Sequence, residues 1–194
     1  MNYQTKTNLI LPFKGTLVVS NGGRTPETNS HNRPADKGPQ NQIYAYDFRM
    51  DNSGNEKELK DYGVYGIGVI APGDGIITQV VNGSFDCEAG ESDRSVGVGN
   101  MVVIDHQNGE YSVICHFKYQ SIVVKLGDRV KQGDLLGLCG NTGNTSQPHI
   151  HYNLQDDGRG YRAKALPAQF RKILVNEQLK ENYEPVRFQW VANL

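Results

Sequence analysis

Short apolar runs with period-two alternation or β-branched character recur along the chain: Thr16 to Ser20, Ile43 to Phe48, Gly75 to Val81, Met101 to Asp105, Glu110 to Phe117, Ser121 to Val124, Asp134 to Leu138 and Pro148 to Leu154. Turn signals separate them, with Asn-Gly at Asn21, Asn82 and Asn108 and Gly-Asp at Gly73, Gly127 and Gly133. Many short strands with little room for helix predict an all-β, mainly antiparallel fold, sandwich- or barrel-like, with long loops. Ala165 to Leu179, carrying Ala168, Phe170, Ile173 and Leu174, is the one segment whose spacing suits a helix.

Two polar stretches, Asp51 to Tyr62 and Asn82 to Asn100, read as surface loops, and the strand pattern continues across both. No Pro/Ser-rich linker divides the chain, so residues 1–194 are expected to form a single domain, with a core at about 11–154 and a C-terminal extension at 155–194. Ala71 to Gly75 and Val124 to Asp134 look like the two halves of a duplicated β-hammerhead. That pattern also occurs in lipoyl and biotinyl carrier domains, but those present a lysine on a tight hairpin and no such segment exists here.

The length of 194 residues allows burial of roughly 70% of the unfolded surface. No apolar run approaches the roughly 20 residues that cross a bilayer as a helix. Twenty basic residues against 21 acidic ones leave a net charge of -1, which excludes general electrostatic attraction to nucleic acid or acidic membranes and makes any specificity local. Cys87, Cys115 and Cys139 form no close-spaced pair, so neither a Cys-x-x-Cys metal site nor a dense disulfide framework is available, and at most one bridge can form. The opening MNYQTKTNLILPFKG lacks the h-region and cleavage site of a secretory signal, so a cytoplasmic protein and one shown without its leader both remain open.

The five histidines carry the chemistry. In an extended strand His149 and His151 point to one face and Ile150 and Tyr152 to the other, which suits one ligand and one proton-handling group, two ligands, or a structural pair on a solvent-facing strand. His116 lies in the strand-like run Tyr111 to Phe117, sharing a face with Ser112 and Ile114, where it needs a metal, a hydrogen-bond partner or a backbone carbonyl. Alternation puts Asp47 beside Ala45 and opposite Tyr44, Tyr46 and Phe48. A carboxylate there calls for a cation, an arginine or a turn to cap. His31 occupies a polar loop and is either solvated or a ligand. His106 falls in the hairpin turn Asp105 to Gly109 and is expected at the surface, outside any site.

Leu11 to Gly15, His31 with Tyr44 to Phe48, Tyr111 to Phe117, Gly133 to Gly143 and Pro148 to Tyr152 occur in an order that resembles the M23 family of zinc peptidases, the lysostaphin- and LytM-type endopeptidases that cut peptidoglycan cross-bridges. The resemblance spans about Leu11 to Leu154. It implies Zn2+ held by His31, Asp47 and His151, with His116 and His149 as the catalytic pair. Fifteen residues separate His31 from Asp47, a longer spacer than in compact members, and the nearer Asp36 is passed over because Tyr-Ala-Tyr-Asp-Phe resembles the long-loop form. Two imidazoles and a carboxylate leave tetrahedral zinc one open position, where it acidifies water and polarises a carbonyl. Tyr152 and Asn153 are candidates for the surrounding support of these ligands. The implied partner is a peptidoglycan peptide, with no nucleic acid and no membrane span, in the cell envelope or outside the cell. Two other functions share parts of the pattern: a catalytically silent LytM-like regulatory module, which usually loses ligands, and a histidine phosphocarrier of the phosphotransferase IIA type, which needs two facing histidines but no carboxylate.

Overall fold

A computed structural model describes residues 2–36, 40–51, 54–159 and 163–194. Strands β1 (Thr16–Asn21), β2 (Tyr46–Arg49), β4 (Gly75–Val81), β5 (Met101–Asp105), β6 (Tyr111–Cys115), β7 (Arg129–Val130), β9 (Ile150–Gln155), β11 (Phe170–Val175), β12 (Gln178–Tyr183) and β13 (Trp190–Asn193) join in one sheet, with order β12-β11-β13-β1-β2-β9-β6-β5-β4-β7. β10 (Ala165–Leu166) adds to β9, while β3 (Gly68–Ile70) and β8 (Leu135–Leu138) form a separate pair. Every strand pairing is antiparallel, and the helical content among the described residues is three short 3-10 turns at 40–42, 59–61 and 94–96. The all-β expectation holds, and no helix among the described residues is long and apolar enough to cross a membrane.

Alternation sorts the two faces of the central strands. Tyr46 and Phe48 of β2, Ile150, Tyr152 and Leu154 of β9 and Ile114 of β6 point inward with Phe13 and Phe170. Their rings are in contact, with centroids 5.1 Å apart for Phe13 and Phe48 and 5.6 Å for Tyr46 and Phe170. The intervening residues, Asp47, Arg49, Cys115, His151 and Asn153, are thereby left on the opposite face. The two hammerhead-like segments do meet: Ala71 N and Gly133 N bond to the Asp134 and Ala71 carbonyls, and β4 pairs with β7.

The segment 165–179 is not helical. It forms β10, β11 and the start of β12, because β11 finds partners on both sides, β12 and β13, and a two-residue turn at Asn176 and Glu177 reverses the chain. Both turn residues have positive φ, 47° and 66°, as a type I′ hairpin requires. β13 in turn pairs with β1, so the C-terminal residues extend the main sheet. Ser121 to Val124 is extended but unladdered, with Val123 N bonded to Leu136 O. β2 starts only at Tyr46, after a turn closed by Ala45 N and Gln42 O.

His106 is also not a surface residue. Only 9% of it is exposed, because the hairpin turn folds it beneath the β3–β4 connection. Its Nδ1 donates to the Asp74 carbonyl at 2.7 Å, and its Nε2 accepts from Ser112 Oγ at 2.7 Å, which lies 3.1 Å from Tyr152 Oη. Nearby, the fully buried Glu110 carboxylate takes hydrogen bonds from Tyr3 Oη, the Lys6 and Thr7 backbone nitrogens and Thr7 Oγ1, fastening the N-terminal segment to the β5–β6 hairpin. All three cysteines are free thiols.

Candidate active site

The register of β2 against β9 sets Asp47 opposite His151 on the face away from the core. Both are buried, and His151 Nδ1 lies 2.8 Å from Asp47 Oδ1. The other carboxylate oxygen, Oδ2, is 2.8 Å from His31 Nε2. His31 arrives from the loop after β1. That loop is held by the buried Asn29, whose amide donates to the Gly23 and Ala45 carbonyls while its Oδ1 accepts from His31 N. The Asn29 clamp is how the fifteen-residue spacer still delivers His31 to Asp47, whereas Asp36 is exposed.

His116 comes one residue beyond the end of β6, with φ of 63°, a left-handed conformation uncommon for a side chain of this size and concentrated at functional sites. It is 4% exposed, and its Nδ1 donates to the Thr142 carbonyl at 2.7 Å. The approach of the 140–143 segment depends on glycine: a Cβ at Gly140 would collide with the Lys118 backbone, and Gly143 has φ of 85° next to Gly99 N. His149 stands just before β9, with Nδ1 2.9 Å from the Gln147 carbonyl and 3.2 Å from Thr145 Oγ1, and Nε2 3.4 Å from Asp47 Oδ1. The His116 and His149 rings are 4.8 Å apart. All five residues line one cleft of about 710 Å³.

Burial alone would raise the Asp47 carboxyl, but the facing imidazoles, His31 and His149 foremost, outweigh it and hold the acid well below the usual carboxylate range. Burial, reinforced by His149 and His151, holds His116 well below the ordinary imidazole value, so it is neutral. One donor atom each from His31, Asp47 and His151 lies within 4.8 Å of the others, and the same is true of His116, His149 and His151.

Sequence reasoning missed Asn21, which reads as the start of a turn. A register irregularity between Val19 and Asn21 turns its side chain to the site, where Nδ2 donates to Asp47 Oδ2 at 2.7 Å and Oδ1 accepts from Ser30 N. The signal available was its place at the end of a strand beside a polar loop. Tyr152 and Asn153 do not support the ligands by direct bonds: Tyr152 Oη meets Ser112, and Asn153 Nδ2 donates to Asn41 O.

An antiparallel β scaffold with a buried carboxylate between two imidazoles, and a second histidine pair across the same cleft, has the makings of a metal-dependent hydrolase. Comparison with known proteins identifies the family. The family model described as Peptidase family M23 matches residues 61–163, and the chain belongs to this family of metallopeptidases. The matched stretch contains His116, His149 and His151; His31 and Asp47 lie before it and are joined to it by the fold. The chain is 33% identical over 117 residues to an uncharacterized metalloprotease of Buchnera aphidicola subsp. Baizongia pistaciae, covering 60% of this chain and 27% of that protein. It is 35% identical over 98 residues to the peptidoglycan DD-endopeptidase ShyA of Vibrio cholerae serotype O1, covering 50% of this chain and 20% of that one. The match therefore spans well under half the length of either relative. Among solved structures, the deep-sea M23 metalloprotease pseudoalterin shares the fold over 97% of this chain and 100% of its own, with a TM-score of 0.54 at 15% identity.

Proposed function

We propose that this protein is a zinc-dependent endopeptidase that hydrolyses peptide bonds in peptidoglycan cross-links, in the cell envelope or outside the cell. The observation that carries the reading is the Asp47 carboxylate with His31 Nε2 and His151 Nδ1 each 2.8 Å away, in one cleft with His116 and His149. The donor set suits Zn2+: two imidazole nitrogens and a carboxylate, with no thiolate among the donors, is the composition of a catalytic rather than a closed structural site. His31, Asp47 and His151 would hold the ion. When bound, zinc would supply a Lewis acid for the scissile carbonyl and acidify a water.

The chain's own residues supply the rest. With Nδ1–H committed to the Thr142 carbonyl, His116 keeps its Nε2 lone pair for the cleft, where it can accept a proton from the attacking water. His149, anchored at Nδ1 by Gln147 O, faces it across 4.8 Å and can steady the substrate carbonyl as it becomes an oxyanion. A phosphocarrier would have no use for the Asp47 carboxylate between two further imidazoles.

The test is metal analysis together with release of new amino groups from purified sacculi. Wild-type protein should hold about one zinc per chain and release amino groups, and His116→Ala should keep its zinc and lose the release. Protein that takes up no zinc even when zinc is supplied would sink the reading, and activity persisting in His116→Ala would remove the role given to that residue.

A further inference from the structure

The near balance of charge along the chain conceals a local excess. Of 20 basic and 21 acidic residues, four arginines, Arg33, Arg49, Arg94 and Arg187, line the cleft, and Asp47 is the one acid among the described residues that do. They come from four separate segments: the His31 loop, β2, the 82–100 loop and the turn before β13. Among the described residues none of the four takes part in an ion pair, whereas Arg24 and Arg159 do. The Arg33 guanidinium donates through Nε to the Ser30 carbonyl, and Arg187 lies over the Phe188 ring with 4.7 Å to its centroid.

Arg49 adds an independent observation. It follows Asp47 by two positions on β2, so both project from the same face into the cleft, and its buried Nε has no hydrogen-bond partner among the described residues. A buried cationic donor without an acceptor is costly, and a ligand that brings an acceptor removes that cost. Guanidinium presents a planar fork that fits carboxylate in two parallel hydrogen bonds. Because the forks sit on separate segments, they suit several carboxylates spread along a chain better than one compact anion.

Resting on the peptidase reading, we propose that the cleft selects an anionic peptide, one that carries more than one free carboxylate near the scissile bond, and that Arg49, Arg94 and Arg187 read those carboxylates. Neutral glycine-rich or amidated peptides are then poor ligands. Charge attraction here acts within the cleft, against a chain that is slightly acidic overall.

The test uses a fluorescein-labelled D-alanyl peptide with a side-chain carboxylate on each side of the scissile position, and its counterpart in which both carboxylates are primary amides. Each is made in a cleavable form and with a reduced, uncleavable bond. Anisotropy titration of the full, zinc-supplied chain with the uncleavable pair should show the amide form binding about tenfold or more weakly, with the gap narrowing as salt is added. In Arg49→Gln, and in Arg94→Gln combined with Arg187→Gln, affinity for the acidic peptide should fall toward that of the amide, while affinity for the amide stays the same. The second variant changes two exposed side chains and guards against a folding failure in the first. Affinities within twofold of each other in the wild type, no binding by either peptide, or a preference unaltered in the double variant would overturn the proposal. Preferential binding of the acidic peptide without cleavage of its cleavable form leaves this inference standing and removes the peptidase reading. Equal binding with equal cleavage does the reverse.

Discussion

Asp47 and His151, 104 positions apart in the chain, are direct partners in the β2–β9 ladder, and their side chains meet on the cleft face at 2.8 Å. A ladder partner is a rigid mounting, because backbone hydrogen bonds on both strands fix where each Cβ points. Replacing His151 by alanine should therefore remove metal without disturbing the sheet. The expected outcome is a fall from about one zinc per chain to near none, read by elemental analysis, with an unchanged circular dichroism spectrum.

Asn21 holds the same carboxylate from the other side, through Oδ2. Residues that orient a ligating carboxylate typically govern affinity by 10- to 100-fold. Asn21→Ala should weaken zinc binding by about that factor in competition with a chromophoric chelator. An affinity unchanged in that titration would show that Asp47 is held well enough by β2 alone.

Glu110 predicts acid sensitivity at a distance from the cleft. Burial pushes its carboxyl up, but hydrogen bonds from Lys6, Thr7 and Tyr3 outweigh burial and leave it below its ordinary value. The charged form is thus favoured by folding, so this contribution is present above the unfolded carboxyl value of about 4.3 and is lost as pH falls through the lower folded value. Glu110→Gln leaves donors without their acceptor and should cost about 1–3 kcal/mol in urea unfolding at pH 7, with the difference from wild type shrinking toward pH 3.

His106 acts in a window at higher pH. Burial lowers its basicity, against the smaller opposing effects of the Asp74 carbonyl and nearby acids. The folded protein then holds the imidazole neutral while the unfolded chain protonates it below about pH 6.5, so stability is fully present above that value and declines as pH falls below it. Proton NMR should show the His106 ring titrating below the ordinary histidine midpoint. A midpoint at or above 6.5 would contradict the buried network with Asp74 O and Ser112.

The β11–β12 turn offers a stabilising change. Glu177 has φ of 66°, where a side chain meets its own backbone and glycine does not. Glu177→Gly creates the Asn-Gly pair favoured in type I′ turns and should raise stability by about 0.5–1 kcal/mol, seen as a higher urea midpoint with the same m-value.

Alternation made much of the scaffold legible. β4 and β5 fall where the apolar pattern sets them, and Asp47 is singled out because a carboxylate alternates with Tyr46 and Phe48 on a strand. Residues 165–179 carry apolar residues at helical spacing yet form strands, because such a segment can also serve as strands when neighbours exist on both sides, and those neighbours, β12 and β13, lie further along the chain. His106 is buried despite its turn sequence, because a turn sequence does not reveal what closes over it. The charge total of -1 likewise hid the arginines of the cleft, since a sum keeps no record of position.

By itself the sequence determined the strand-rich character and the absence of a close-spaced thiolate pair, because these follow from local periodicity and side-chain spacing, and it offered His31, Asp47, His116, His149 and His151 as candidates through the order of the motifs that carry them. Only the tertiary structure decided that His31 reaches Asp47, that Asn21 steadies it, that His106 belongs to the interior and that four arginines line the same cleft. These are contacts between residues far apart in the chain, and they come into being only when the sheet order brings β1, β2, β9 and β6 side by side.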